Sequence, residues 1–522
     1  MAQVLTIFSP EVLLLLLLCF FVVRRYYLAR RSAKNCHDHG RRLPPSPPKL
    51  PLIGHLHLVG PDPHISLAEL SRKHAGRDGL MLLRLGQVPN LVVSSPSAAE
   101  AVLRTHDHVF ASRPPSIVAD VLLSGPSDVA LAPYGEYWRQ ARKLVTTHLL
   151  SARKVRALQG DREEEVSHVV AKLRAAAAAR SAVDMTELLG AFTNDVVCRA
   201  VSGKFFREEG RNELFRELIA GNVAAIGGFN LEDYFPSLAK VGLLRRVVLA
   251  KTRRLKKRWD ELLDKIIDDH STKSPWLQEQ NQQDEDRDLV DVLLSLQHEY
   301  NLTRDNVKVI LLDMFSAGTD TSSIVLEFAM AELMRKPRFM AKLQADVRSK
   351  TPKTRQTIKE DDLGNMSYLK AVVKETLRLH PPAPLLVPHL SIAKCDNVNG
   401  YLVPTGTRAI INAWALCRDT KSWRRRRSSG RRGSWTGSKQ PPTSKGGIPR
   451  SCHLEPVGEC ALGWASGWPV EVMLANLVYC FDWELPDGMQ EEDVDMADVF
   501  GVTMRRKEKL VLVPRIPQDA NI

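Results

Sequence analysis

The stretch Val307–Leu333 constrains this chain most. It reads as one long apolar helix, interrupted only by Ala317-Gly318-Thr319-Asp320-Thr321-Ser322. Glycine inside a helix costs roughly 0.5–1 kcal/mol relative to alanine, so an interior Gly318 calls for a reason. Two reasons are open. Ala317 and Gly318 would permit close approach of a flat cofactor or of dioxygen, with Asp320 and Thr321 as an acid and an alcohol able to relay protons beside it. The alternative is a small-residue packing contact followed by Thr and Ser side chains bonded back to their own helix.

Around this helix the pattern is mainly helical beyond Ser97, with long amphipathic stretches at Val155–Ala179, Leu243–Ile267 and Arg304–Arg335. Leu80–Leu85 and Asn90–Ser94, separated by Gly86 and Pro89, predict a small β-hairpin. Gly400–Ile411 alternates around turn residues and suits a second short sheet, while the polar Lys273–Asp286 reads as a surface loop. The expected fold class is mainly α with small β-sheets. With 522 residues, 44% of them hydrophobic, one large domain can bury an ample core. Eight cysteines are scattered without the spacing of a disulfide framework, which suits a reducing compartment. The net charge is +13, but residues 420–469 alone hold a net of +8, leaving about +5 for the rest. The arginines there lack interleaved aromatic platforms, so no nucleic-acid partner is expected.

Val4–Val23 is close to the ~20 residues that cross a bilayer, and Val12–Val23 is unbroken apolar sequence. Arg24, Arg25, Arg30, Arg31 and Lys34 follow at once and place the downstream chain in the cytosol. A cleaved signal peptide is the alternative, but no basic region precedes the run and no small-x-small site follows it. The proline-dense Leu43–Gly54 then acts as a stiff spacer. The expected layout is a transmembrane signal anchor at 4–23, a basic flank and hinge at 24–60, and a single domain over 61–522.

Two further motifs stand in order with the interrupted helix. Trp138-Arg139-Gln140-Ala141-Arg142 puts Trp138 and Arg142 on one helix face. An indole N–H and a guanidinium there suit carboxylates, although an ordinary surface helix would look the same. Glu375-Thr376-Leu377-Arg378 places an acid and an arginine one turn apart on the helix Tyr368–Leu379, which His380-Pro381-Pro382 ends. Alone, such a pair is worth only tenths of a kcal/mol on a solvated helix. Anchor, hinge and the three motifs in this order resemble the plant microsomal cytochrome P450 superfamily, of the family-71 clan type, across residues 43–420.

That resemblance implies haem b (iron protoporphyrin IX), dioxygen, and electrons from NADPH through a membrane-bound NADPH–cytochrome P450 reductase. It implies that Trp138 and Arg142 hold the haem propionates, and that Ala317 and Gly318 lie against the cofactor. Asp320 and Thr321 would manage protons, and Glu375 with Arg378 would be buried as a structural lock with a later arginine. Leu385-Leu386-Val387 would form a strand lining the substrate pocket with Phe315.

The pattern breaks between Trp423 and Val470. The family expects an acidic stretch, a Pro-Glu-Arg-Phe loop and a Phe-x-x-Gly-x-Arg-x-Cys-x-Gly haem loop there, and this chain has Arg424-Arg-Arg-Arg-Ser-Ser-Gly instead. One reading-frame slip explains both edges: suitable synonymous codons read in the shifted frame give both missing motifs. In the chain as written Cys460 stands closest to the axial-ligand position, between Gly458 and Gly463 but beside Glu459. The family needs a thiolate there to favour O–O cleavage, and a neighbouring carboxylate opposes one. Cys452 and Cys480 are poorer candidates.

The expected function is insertion of one oxygen atom into an apolar plant secondary metabolite by a monooxygenase anchored in the endoplasmic reticulum membrane, with a small apolar substrate and no nucleic acid as partner. The alternatives are a catalytically inactive, haem-free frameshifted product and a membrane-tethered interaction protein using the basic 421–450 patch.

Overall fold

Thr303 opens the central helix. Its hydroxyl accepts the Asn306 backbone N–H at 3.1 Å while the Asn306 side-chain oxygen accepts the Thr303 N–H at 2.9 Å. This capping box satisfies donors that a helix N-terminus leaves unpaired. The computed structural model describes residues 42–76, 78–125, 127–203, 211–228, 230–237, 242–277, 287–419 and 467–517. The expected anchor at 4–23 and Cys460 lie outside the described residues.

The principal helices are α1 (Glu136–Leu144), α2 (Gln159–Ala178), α3 (Met185–Ser202), α4 (Arg211–Gly227), α5 (Gly242–Leu277), α6 (Arg304–Met334), α7 (Pro337–Lys350), α8 (Ser367–Leu379) and α9 (Trp468–Cys480). Among the described residues α6 is the one helix long and apolar enough to cross a membrane, but 72% of its apolar window is buried, which makes it the core helix. It threads two apolar clusters. Val307–Phe315 packs with α3, α4 and α5, and Val325–Met334 packs with α2, α3, α7, α8 and α9. Gly318–Ile324, between the two, belongs to neither cluster. The interrupted hexapeptide therefore sits where the core is parted.

The strands are short. β1 (Leu80–Leu85) and β2 (Val88–Val93) form the expected hairpin around Gly86, whose φ of +60° favours glycine. β3 (Val183–Asp184), β4 (His389–Leu390), β5 (Cys395–Val398), β6 (Tyr401–Val403), β7 (Arg408–Ile411), β8 (Asp482–Glu484), β9 (Asp498–Val499), β10 (Arg505–Arg506) and β11 (Val511–Arg515) complete the set. They assemble as β1-β2-β7-β4, β3-β11-β8, β5-β6 and β10-β9. β7 runs parallel to β2, with Val92 opposite Ile410, so the two sheet regions read separately from sequence are largely one.

Three expectations shift. The stretch Val155–Ala179 is broken at Leu158 into Ala152–Ala157 and α2. α5 continues to Leu277, so the first part of the expected loop is helical. Leu385-Leu386-Val387 is a turn, not a strand: Leu386 takes φ +49°, and pairing begins at His389. α9 is held from its middle. The fully buried Asn476 donates to Ile358 O at 2.9 Å and accepts the Ile358 N–H at 2.8 Å, so a polar side chain in an apolar helix is satisfied by a neighbouring loop.

Candidate active site

Along α6, Asp313, Ser316, Ala317 and Asp320 are only half-buried, while Phe315, Gly318 and Thr319 between them, and Thr321 after them, are buried. Spacings of three and four put the four half-buried residues on one face. They form a half-buried, mostly polar strip on the main core helix. Gly318 and Ser322 point elsewhere. With Val155, Arg162, Thr193 and Pro469 they line a narrow cleft between α2, α3, α6 and the start of α9. Of Ala317 and Gly318, expected on one cofactor surface, Gly318 lines this cleft and Ala317 packs against the cluster that joins α6 to α4 and α5.

Asp320 is already engaged. Its Oδ2 accepts Thr503 Oγ1 at 2.9 Å and Arg505 Nη2 at 2.5 Å, tying the helix to β10. Thr321 Oγ1 donates back to Ala317 O at 2.8 Å. The acid and the alcohol are neighbours in sequence but are not hydrogen-bonded to each other. Thr319, also buried, has a hydroxyl with no partner among the described residues. Ser316 Oγ accepts the Asn222 side-chain N–H at 3.2 Å, and Asn222 accepts Trp259 Nε1 at 2.9 Å, a contact that reaches from α6 through α4 to α5.

Trp138 and Arg142 lie on one face of α1, with the guanidinium 5.3 Å from the indole centroid. The indole N–H is committed, donating to Val129 O at 3.1 Å. Arg142 has no hydrogen-bond acceptor among the described residues. Val129 is itself held by α6, because its N–H donates to Asp313 Oδ2 at 2.8 Å. Beside it the fully buried Asp128 accepts the Leu131 N–H at 2.7 Å and leaves its other oxygen without a partner among the described residues. Burial pushes the Asp128 carboxyl up to about 6, against the pull of the Leu131 N–H and Arg113. Burial, and then the Asp128 charge, push Asp313 well above the usual carboxylate range. The Arg113 guanidinium donates to Val387 O at 2.7 Å. Burial first, and then Arg113, hold His389 down at about 3, hence neutral.

Glu375 and Arg378 form a bidentate pair at 2.8 and 2.7 Å, with side chains only 11% and 15% exposed. The expected burial is present. Arg378 also donates to Cys417 O at 3.0 Å, so a backbone carbonyl is a further partner where the resemblance implies an arginine. Phe315 is fully buried with its ring 4.4 Å from Phe215, so it packs α6 on α4 instead of bordering open space. Leu385, Leu386 and Val387 remain half-buried.

Haem fits part of this site. Arg142, charged and without an acceptor among the described residues, suits a carboxylate edge, and the half-buried strip of α6 suits a ligand face. Burial pushes Cys198 well up, Cys395 up and Cys480 to about 11. Cys417 is buried, and Cys395 belongs to a cluster with no α6 residue. Cys460, the candidate axial ligand, lies outside the described residues.

Sequence reasoning passed over Asp128, Asp313, Arg113, His389 and Asn222. Asp313 was the one with a readable signal, four residues before Ala317 on the same face. The other contacts join distant segments.

Comparison with known proteins shows the family and the fold. The family model described as Cytochrome P450 matches residues 44–426, ending inside the Arg424–Arg427 run. An indole-2-monooxygenase from Zea mays is 54% identical over 90% of this chain and 87% of its own. A 3-hydroxyindolin-2-one monooxygenase from Zea mays is 50% identical over 91% of this chain and 89% of its own. A zebra fish cytochrome P450 solved with abiraterone superposes with a TM-score of 0.68 at 22% identity, over 88% of this chain and all of that one, which shows the fold.

Proposed function

The chain belongs to the cytochrome P450 family of monooxygenases, and from that premise we propose that it inserts one oxygen atom from dioxygen into an indole-type plant metabolite. The observation that carries the reading is the 54% identity with an indole-2-monooxygenase over nine-tenths of the chain. When bound, haem supplies the reduction of dioxygen and the oxygen transfer. This chain's residues position the partners. Arg142, floored by Trp138, meets a propionate. Ala317 and the half-buried strip of α6 give the substrate its surface, with Leu385–Val387 at its edge. Ser316, held by Asn222, is the polar group on that strip suited to a ring N–H.

Asp320 and Thr321 handle protons. Asp320 must exchange the Arg505 and Thr503 contacts for water to do so, and Thr321 must release Ala317 O. Cys460 is the candidate axial ligand. The layout of anchor 4–23, hinge 24–60 and catalytic domain 61–522 places the site at the cytosolic surface of the endoplasmic reticulum, where NADPH–cytochrome P450 reductase delivers electrons.

Microsomes carrying the full chain and the reductase, given NADPH, labelled dioxygen and indole, test this. One labelled oxygen atom in the product is expected; turnover of no indole, indolin-2-one or hydroxyindolinone substrate would overturn the substrate class. A second reading has its own support, because the family match stops at residue 426. On that reading 424–469 is translated out of frame, and the product is haem-free and inactive. A messenger sequence across those codons decides whether the slip is real.

A further inference from the structure

The loop leading into α1 is gripped at one residue from two sides. Val129 gives its N–H to Asp313 on α6, at 2.8 Å, and its carbonyl to the Trp138 indole, at 3.1 Å. Trp138 in turn lies beneath Arg142. Two more bonds brace the same loop: Tyr137 Oη donates to Ser127 O at 2.5 Å, and the Leu131 N–H donates to Asp128 at 2.7 Å. One continuous path of contacts therefore joins the half-buried face of α6 to the arginine of α1. Asp313 stands on that face four residues before Ala317.

We propose that Asp313, paired with Asp128, is a positioning residue that sets where Trp138 and Arg142 stand, and through them how the haem edge is held. The proposal rests on the reading that Arg142 meets a propionate. A carboxyl is suited to the task because it accepts a backbone N–H while the charge of Asp128, in the same loop as Val129, bears on it. Two ionised carboxylates cannot be buried together without a large electrostatic penalty, so the pair retains a proton. Arg113 lies nearest Asp128 in charge and favours ionisation there, which leaves the proton on Asp313. The other groups facing the pair are neutral at pH 7: the Tyr137 hydroxyl, pushed up by burial and by both acids, and the Asn306 amide. His389, which faces Arg113, is neutral as well.

Two variants separate positioning from mere packing. Asp313→Asn keeps an acceptor for the Val129 N–H and needs no shared proton; Asp313→Ala removes the acceptor. The full chain in detergent is followed by hydrogen exchange of the segment 127–142 and by haem transfer to apomyoglobin. Losing one buried hydrogen bond to a carboxyl is worth about tenfold. Asp313→Ala is expected to raise both rates about tenfold at pH 7, and Asp313→Asn to stay within about twofold of the parent. Above the pH at which the shared proton leaves, the parent should exchange faster than Asp313→Asn measured at the same pH, which a purely steric role would not produce. Unchanged exchange in Asp313→Ala, or equal damage from both variants with no pH difference, would overturn the proposal. If the chain binds no haem, the propionate reading fails, while the exchange measurement still decides the role of Asp313.

Discussion

Replacing Glu332 by Gln probes the joint between the α6 and α8 ends of the site. Glu332 Oε1 lies 2.9 Å from His380 Nε2, its other oxygen accepts Lys336 Nζ at 2.5 Å, and the His380 ring stacks on Phe328 at 4.2 Å. Burial alone would raise this carboxyl, but hydrogen bonds from His380 and Lys336 outweigh it and hold it at about 2 against an ordinary 4.5. At about 1.4 kcal/mol per pKa unit the drop corresponds to about 3 kcal/mol. That figure is an upper one, because the Lys336 side chain is 39% exposed and solvent screens its share. The sign follows from the depressed value: the contribution is present above the unfolded pKa and disappears as the pH falls through the folded one. Urea unfolding of the full chain in detergent should show Glu332→Gln less stable by about 2–3 kcal/mol at pH 7, with the difference shrinking between pH 4.5 and 2. A difference below about 0.5 kcal/mol at pH 7, or one that stays constant down to pH 2.5, would refute the reasoning.

Arg378→Ala should destabilise by about 3–5 kcal/mol, since Glu375 would keep a charge at 11% exposure without its partner, and thermal unfolding reads this directly. Phe315→Ala should cost about 3–5 kcal/mol through the cavity left against Phe215, while leaving the substrate KM within about twofold. Arg505→Ala releases Asp320 from its cation; the haem content should be unchanged and the solvent deuterium isotope effect on turnover altered, as comparison at fixed pH would show.

The end of α8 was legible where local chemistry writes it, at Pro381. The Glu375–Arg378 pair was legible too, because its two members sit one turn apart and only the degree of burial had to be learned. Phe315 was misplaced for a physical reason. α6 is apolar on nearly every face, so periodicity could not say which side meets α4 and which meets open space. Leu385–Val387 has the composition of a strand, but Pro384 and Pro388 bracket it and Leu386 adopts a left-handed turn. The hydrogen bond between Val129 and Asp313 spans 184 residues. No local pattern could announce it, nor that the Trp138 indole donates to the carbonyl of the same Val129.

The most direct test is the reduced, carbon-monoxide difference spectrum of the full chain in microsomes, beside that of Cys460→Ser. The account predicts a strongly red-shifted Soret band of iron bound by thiolate, lost in the variant. A chain with no haem band, or with only the shorter-wavelength band of a non-thiolate ligand, would contradict the monooxygenase activity proposed for it.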